Sequence, residues 1–297
     1  MIYLKLFKFP SQEQESKCFN KMTPTYYDSL YPFGFLSSRG LESVELSDIT
    51  IFAGSNGSGK STLLNVISER LRLKREAPFN RTELFDNYLD RTEVKLDVPD
   101  TMEAMDFRKY SRIITSDDVF NYILETRRLN EQLDWQKGLI QKKRYELRRN
   151  PDIRPTGIDF SNPESFDEYS KCNRMLRGSL SDYIRSENIH NRRTYSNGEN
   201  GYRYFVENIK PNGLYLLDEP ENSLSSKIQI ELSFFLSGMA RRYGCQFIIA
   251  SHSPFVLATP YAKVYNMDST PVSCAKWTEL ENVRTYFEFF EEHRSEF

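Results

Sequence analysis

The sequence predicts an α/β fold with a mostly parallel core sheet and a helical insertion, and three observations carry that prediction. GLYLLDE and CQFIIASH are short, nearly continuous apolar runs, the pattern of parallel strands buried on both faces. A glycine-rich loop, GSNGSGKS, stands between an apolar run and an amphipathic one. The middle of the chain, residues 117–195, is long, polar and helix-leaning.

Taken in order, IYLKLFKF alternates in part and reads as a strand, and ESVELSDITIFAG holds two apolar pulses separated by Ser-Asp. After the glycine-rich loop, STLLNVISERLRL places Leu64, Ile67 and Leu71 on one helical face. The middle reads as two main helices around a connection containing Pro151, Pro155, Gly157 and Pro163. Phe166, Tyr169, Leu176, Leu180 and Ile184 fall near helical spacing in the second of these. Beyond Ser196 the α/β pattern resumes, with Ile228, Leu232, Phe235 and Met239 marking a crossover helix that ends near Gly244. The tail offers two short strands, AKVYNM and SCAKW. A last helix puts Val283, Tyr286, Phe287 and Phe290 on one side.

Composition narrows the function classes. The chain has 297 residues, 39% of them hydrophobic, and a net charge of −2, so it is no generic polyanion binder. Cys18, Cys172, Cys245 and Cys274 are scattered without metal spacing, which points to a reducing cytosol rather than a disulfide or zinc framework. MIYLKLFKFP lacks the apolar core of a signal peptide, and no run of residues is long and apolar enough to span a bilayer. The expectation is a cytoplasmic protein with no membrane partner.

GSNGSGKS satisfies G-x-x-x-x-G-K-[ST]. Glycines let the backbone curl so that successive N–H groups point at phosphate oxygens. The cradle therefore comprises Gly54, Ser55, Asn56, Gly57, Ser58, Gly59, Lys60, Ser61 and Thr62, with the following helix adding its positive end. Lys60 neutralises phosphate charge, and the Ser61 hydroxyl is a ligand for Mg²⁺. LYLLDE delivers Asp218 and Glu219 at the carboxyl end of a buried strand, where open α/β sheets place their ligands. Asp218 suits a second Mg²⁺ contact and Glu219 the polarisation of an attacking water. His252 directly follows FIIAS, so it sits at a strand end where it can bond a phosphate or hold that water. The stretch TYSNGENGYRYF admits two readings, a turn rich in Gly and Asn or half of a binding site.

Together GSNGSGKST, YSNGE, LYLLDEPENSLS and IIASHSP resemble the ABC-type ATPases, in particular the SMC/RecF-like branch and its small standalone bacterial members. The resemblance covers most of the chain except residues 120–190. It implies a P-loop NTPase with a two-lobe, ABC-ATPase-like fold: an N-terminal lobe over residues 1–116 with an antiparallel β part, a helical insertion at 117–195, and a final segment at 196–297. It makes ATP and Mg²⁺ the ligands, YSNGE the signature and ENSLS the D-loop. Ser196, Gly198 and Glu199 then contact the nucleotide held by a second copy, so the chain would form a homodimer through ATP. Two departures stand out. Asn197 replaces a signature glycine, tolerable because Asn accepts positive φ. No Q-loop glutamine follows a strand near residue 115, leaving Ser116, Asp117 or Asp118 as substitutes.

The resulting expectation is an Mg²⁺-dependent ATPase acting as a dimerising switch in a DNA-related or antiviral defence complex, with a nuclease or effector as partner. Alternatives are a transporter's nucleotide-binding subunit, an ATP-binding scaffold with little turnover, and a small-molecule P-loop kinase. Residues 137–149, with Lys137 and Arg149 at the ends, hold six basic residues against one acid. They read either as a solvated helix face or as a patch for DNA, RNA or an acidic partner, whose binding weakens with salt. Trp135 and Tyr145 either stack on bases or belong to the core.

Overall fold

A computed structural model describes residues 2–19, 29–97, 106–155, 162–187, 189 and 196–297. The chain divides into two compact units, one formed by Met1–Phe120 with Asn197–Phe297 and the other by Asn121–Ser196.

In the first unit the elements run β1 (Leu4–Lys8), α1 (Gln12–Phe19), β2 (Ser43–Glu45), β3 (Ile49–Ala53), α2 (Lys60–Leu71), α3 (Phe85–Leu89), β4 (Glu93–Leu96), α4 (Asp106–Tyr110) and β5 (Arg112–Thr115). The insertion brings α5 (Ser116–Arg149), α6 (Pro163–Leu176) and α7 (Leu180–Ser186). Then follow α8 (Asn197–Asn208), β6 (Leu214–Asp218), α9 (Ser226–Arg242), β7 (Gln246–Ser251), α10 (Pro254–Leu257), β8 (Lys263–Asn266), β9 (Ser273–Cys274) and α11 (Glu281–Glu292).

The two apolar pulses of ESVELSDITIFAG belong to different sheets. β2 joins an antiparallel sheet ordered β2-β1-β4, while β3 lies in a sheet ordered β5-β6-β7-β3-β8-β9. All pairs of the second sheet are parallel except β8 with β9. Every residue of β3 and β7 is buried, which explains why these strands read as unbroken apolar runs. The polar residues in them are Thr50, Ser251 and, at the start of β7, Gln246. Its side-chain oxygen accepts from the Tyr3 and Leu4 N–H groups at 2.8 and 2.9 Å. Its amide nitrogen donates to the Leu4 carbonyl at 2.8 Å and the Ser47 carbonyl at 3.0 Å. A buried amide thus links the two sheets with its bonding capacity filled. The core of this unit includes Phe52, Leu63, Leu64, Ile67, Phe85 and Ile248.

The strand order decides where the site lies. β7 and β8 flank β3, and β6 lies beyond β7, so the loops leaving the carboxyl ends of these four strands gather at one edge.

Among the described residues of the second unit, three α-helices are observed where the spacing predicts two. Gly178 adopts φ +90° and Ser179 caps the next helix by accepting from the Asp182 N–H, which splits the second helix into α6 and α7. Leu147, Cys172, Met175 and Tyr183 form the small core of this unit. Arg144, counted above with the basic residues, is buried and donates to the Gly178 carbonyl at 2.5 Å. Trp135 and Tyr145 are exposed, at 67% and 62%, so the core reading of these two aromatics does not hold. Gly157 and His190 lie outside the described residues.

Candidate active site

The glycine-rich loop leaves β3 and closes onto α2 with Gly57 at φ +79° and Gly59 at φ +97°, conformations that favour glycine. A Cβ on Gly59 would also lie 2.8 Å from Phe35 Cε1, so this position needs glycine twice over. Lys60 is buried, and its ammonium donates to the Gly54 and Ser55 carbonyls at 2.8 and 2.9 Å. The loop is braced from the turn after β8: Asp268 accepts from the Ser55 N–H at 2.8 Å and from its hydroxyl at 2.8 Å. Thr62 is buried, its hydroxyl accepting from Tyr31 at 3.2 Å. Asn56, Gly57 and Ser61 are exposed to the cavity side, whereas Ser58 is buried and its hydroxyl has no hydrogen-bond partner. Phe35, Asn56, Ser58, Lys60, Ser61 and Glu219 are among the residues lining a cavity of about 280 Å³ over this loop.

The end of β6 meets the loop there. The Ser61 hydroxyl donates to Asp218 Oδ1 at 3.0 Å. Burial pushes the Asp218 carboxyl up to about 6, against the downward pull of that hydrogen bond. A partly buried carboxylate beside a serine hydroxyl is a hard-oxygen pair of the kind Mg²⁺ takes, with phosphate and water oxygens completing its shell. Glu219 turns away from β6 with φ +49°, a left-handed conformation that costs a non-glycine residue about 1–2 kcal/mol. Its N–H donates to the Ala250 carbonyl at 2.9 Å, and its Oε2 accepts from the Asn222 side chain at 3.0 Å.

His252 follows β7 next door. Its Nδ1 lies 3.9 Å from Glu219 Oε1 and 3.4 Å from Glu221 Oε1. The backbone of this residue is held on both sides: its N–H donates to Glu221 Oε1 at 2.9 Å, and its carbonyl accepts from the Asn282 side chain of α11 at 2.8 Å. The glycine-rich loop, Asp218, Glu219 and His252 are therefore brought together at one edge of the sheet.

The described residues of YSNGE lie at and just before the start of α8. Asn197 opens α8 and is not among the positive-φ residues, so its tolerance for positive φ is not used. Gly198 packs against the D-loop, where a Cβ would meet Ile228 Cδ1 at 2.9 Å and the Ser223 carbonyl at 3.6 Å. Glu199 is exposed in the first turn of α8, and Ser196 is exposed as the last residue of the second unit. Tyr195 is outside the described residues. Among the Q-loop substitutes, Asp118 is spent inside the fold: it accepts from the Ala77 N–H at 2.8 Å, the Thr115 N–H at 2.7 Å and the Thr115 hydroxyl at 2.9 Å. That leaves Ser116, partly buried, and Asp117, exposed.

Three contributors escaped the sequence reading, Phe35, Asp268 and Asn282, and Glu221, read there only as the start of the D-loop, also supports His252. Only Glu221 had a local signal, its place directly after the D-E-P turn. A larger cavity of about 840 Å³ adjoins the site between the D-loop, His252 and α11, with Tyr286, Phe287 and Phe290 on its wall. Those three aromatics are at least half exposed, and of the predicted helix face only Val283 is buried.

Residues 205–258, which carry β6, α9, β7 and His252, match the family model described as "AAA domain, putative AbiEii toxin, Type IV TA system". No curated protein matches the chain. Among solved structures, the chain is similar to an Smc head domain from Pyrococcus furiosus bound to the C-terminal domain of ScpA. That match has 13% identity and TM-score 0.42, covering 99% of this chain and 100% of that one. An SMC head domain from Thermotoga maritima gives 12% identity and TM-score 0.35, covering 93% and 99%. A nucleotide-free ATP-binding cassette from an ABC transporter gives 15% identity and TM-score 0.40, covering 97% and 96%. With TM-scores below 0.5, the fold assignment rests on the strand order and motifs of the chain itself.

Proposed function

We propose that this chain, a P-loop ATPase of the ABC/SMC type, hydrolyses ATP at sites shared between two copies of itself, so that ATP joins the copies and hydrolysis releases them. The observation that carries the reading is the meeting of the α2 start and the β6 end, Ser61 to Asp218 at 3.0 Å, with Glu219 on the wall of the same cavity.

Lys60 exchanges its two carbonyl partners for phosphate oxygens, and the loop N–H groups with the α2 terminus hold the rest of the phosphate charge. Mg²⁺, held by Ser61 and Asp218, supplies further charge withdrawal from the phosphates. Glu219 orients and polarises the water, and His252 stands beside it to steady that water or the terminal phosphate. Ser196, Gly198 and Glu199 would act on the nucleotide held by a second copy, as the resemblance of YSNGE to the signature implies.

The matched family's description, a toxin of a toxin–antitoxin system, supports a defence-type setting in which an effector protein uses the switch. Exposed Lys142, Lys143, Arg148 and Arg149 on α5, with exposed Trp135 and Tyr145, support nucleic acid as a further contact. Free cysteines, three of them buried, suit a reducing cytoplasm, and no described helix is long and apolar enough to cross a membrane.

The test is specific ATPase activity measured against protein concentration. Shared sites give a specific activity that rises with concentration and then levels off. A flat profile with substantial turnover overturns the shared-site reading, and no Mg²⁺-dependent turnover at any concentration overturns the enzyme.

A further inference from the structure

Glu221 is a buried acid beside the site to which the hydrolysis described above gives no task. It is 4% exposed. Its Oε1 accepts from the Ser251 hydroxyl at 2.7 Å, the His252 N–H at 2.9 Å and the Ser253 N–H at 3.1 Å, which fixes the carboxylate against the turn after β7. Its other oxygen, Oε2, is buried with no hydrogen-bond partner. His252 Nδ1 is also buried without one, although the His252 side chain as a whole is 43% exposed. That nitrogen lies 3.4 Å from Glu221 Oε1 and 3.9 Å from Glu219 Oε1. The unpartnered ring nitrogen therefore lies beside the Glu221 carboxylate, 3.4 Å from its Oε1, and a small closure satisfies the nitrogen. Buried polar atoms rarely stay unpaired.

We propose that Glu221 is the positioning residue for His252: the ring donates its Nδ1–H to the Glu221 carboxylate, so Nε2 is the nitrogen left for the water or phosphate. The inference rests on the catalytic reading of His252. It extends that reading by naming the group that sets the tautomer and holds the ring. A carboxylate on the far side of an imidazole also steadies the ring when it gains a proton, the logic by which outer partners tune working histidines. Glu221 belongs to the D-loop segment, where α8 packs through Gly198. A contact made on that segment thus acts directly on the residue that orients His252.

The test uses the full-length chain labelled with ¹⁵N-histidine. The sequence has three histidines, so His190→Gln and His293→Gln assign the ring signals by elimination. The wild-type His252 ring carries its proton on Nδ1. Glu221→Gln places an amide where the carboxylate was and shifts the proton towards Nε2. It lowers kcat about 10- to 100-fold while leaving KM for ATP within about twofold. Glu221→Asp, which keeps the charge, retains the Nδ1–H form and part of the rate, and serves if the Gln variant does not fold. A wild-type His252 protonated on Nε2 overturns the proposal, as does a Glu221→Gln variant with tautomer and kcat unchanged. A separate control, His252→Gln, keeps the two readings apart. Full turnover in that variant removes the catalytic role of His252, while the tautomer measurement still decides what Glu221 does to the ring.

Discussion

The Ser61 hydroxyl donates to Asp218 Oδ1 at 3.0 Å, so the first turn of α2 and the last residue of β6 share one hydrogen bond across the sheet edge. Burial raises the Asp218 carboxyl from 3.8 to about 6. A raised carboxyl favours the folded state when protonated. The contribution is complete below about pH 4 and is lost as pH rises through 6. Above that pH the metal-free fold carries a buried charge costing about 1–3 kcal/mol. Asp218→Asn therefore raises the melting temperature of the metal-free protein at pH 7.5, and the gain shrinks to nothing near pH 4. Mg²⁺ with ATP stabilises the wild type but not the variant. Thermal unfolding from pH 4 to 8, with and without Mg²⁺ and ATP, checks this, and an unstabilised variant at pH 7.5 refutes it.

Glu219 combines a chemical role with a strained backbone at φ +49°. Glu219→Gln keeps the backbone and removes the base, so turnover falls about 10²- to 10⁴-fold while ATP still binds. Size exclusion with ATP and Mg²⁺ then shows a persistent dimer. Glu219→Gly also loses turnover, yet relieves about 1 kcal/mol of left-handed strain. Equilibrium unfolding in urea should show the Gly variant at least as stable as the Gln variant. The reverse order would mean that the strain is not felt.

Gly57 and Gly59 both need positive φ, at +79° and +97°, but their surroundings differ. Nothing lies within 4 Å of a Cβ on Gly57, whereas one on Gly59 meets Phe35 Cε1 at 2.8 Å and Leu36 Cδ2 at 3.4 Å. Gly57→Ala should cost only the conformational penalty, about 1 kcal/mol. Gly59→Ala should cost more and abolish binding of a fluorescent ATP analogue. Adding Phe35→Ala should recover part of the stability lost by Gly59→Ala. A double variant no more stable than the single one would exclude the ring contact as the reason.

Ser196 precedes α8 and is exposed. If it acts on nucleotide held by a second copy, Ser196→Arg binds ATP with near wild-type affinity and loses turnover about 10²-fold or more. Mixing it with a Lys60→Ala chain, which lacks the cradle but keeps the serine, should restore activity at mixed interfaces. Calorimetry and a mixing titration measure the two effects. Retained turnover in Ser196→Arg would reduce Ser196 to a loop residue.

What could be read in advance was what neighbouring residues in the chain state together. Gly54 to Ser61, Asp218 with Glu219, and His252 after β7 are each local patterns, and buried strands announce themselves as apolar runs. The missed contributors act through distant contacts. Asp268 braces Ser55 across 213 residues, and Asn282 holds the His252 carbonyl from 30 residues away, so no local pattern marks either. Asp118 shows the converse: a carboxylate in a suggestive position is consumed by two N–H groups and a hydroxyl of its own fold. The helix count failed at Gly178, because apolar spacing from Phe166 to Ile184 runs on past a left-handed glycine that ends one helix and a serine that caps the next.

Gln246 is the strongest case of a residue whose task lies across the chain, 243 positions from Tyr3. It sits at the amino end of β7, the opposite end from His252, and joins the sheet holding the site to the antiparallel sheet. Gln246→Leu has similar bulk but leaves the Tyr3 and Leu4 N–H groups and the Leu4 and Ser47 carbonyls without this partner. Each buried group left unpaired costs about 1–3 kcal/mol, less where relaxation admits water. The expected loss is about 2–5 kcal/mol, a drop in melting temperature of roughly 5–15 °C. Gln246→Glu keeps the acceptor but sets a buried carboxylate against the Leu4 and Ser47 carbonyls, so at neutral pH it should be at least as destabilising as Gln246→Leu. Binding of the ATP analogue to either variant below its melting temperature should stay within about threefold of wild type, because the carboxyl ends of the strands are untouched. A large loss of affinity without loss of stability would mean that the two sheets communicate through this amide rather than being merely joined by it.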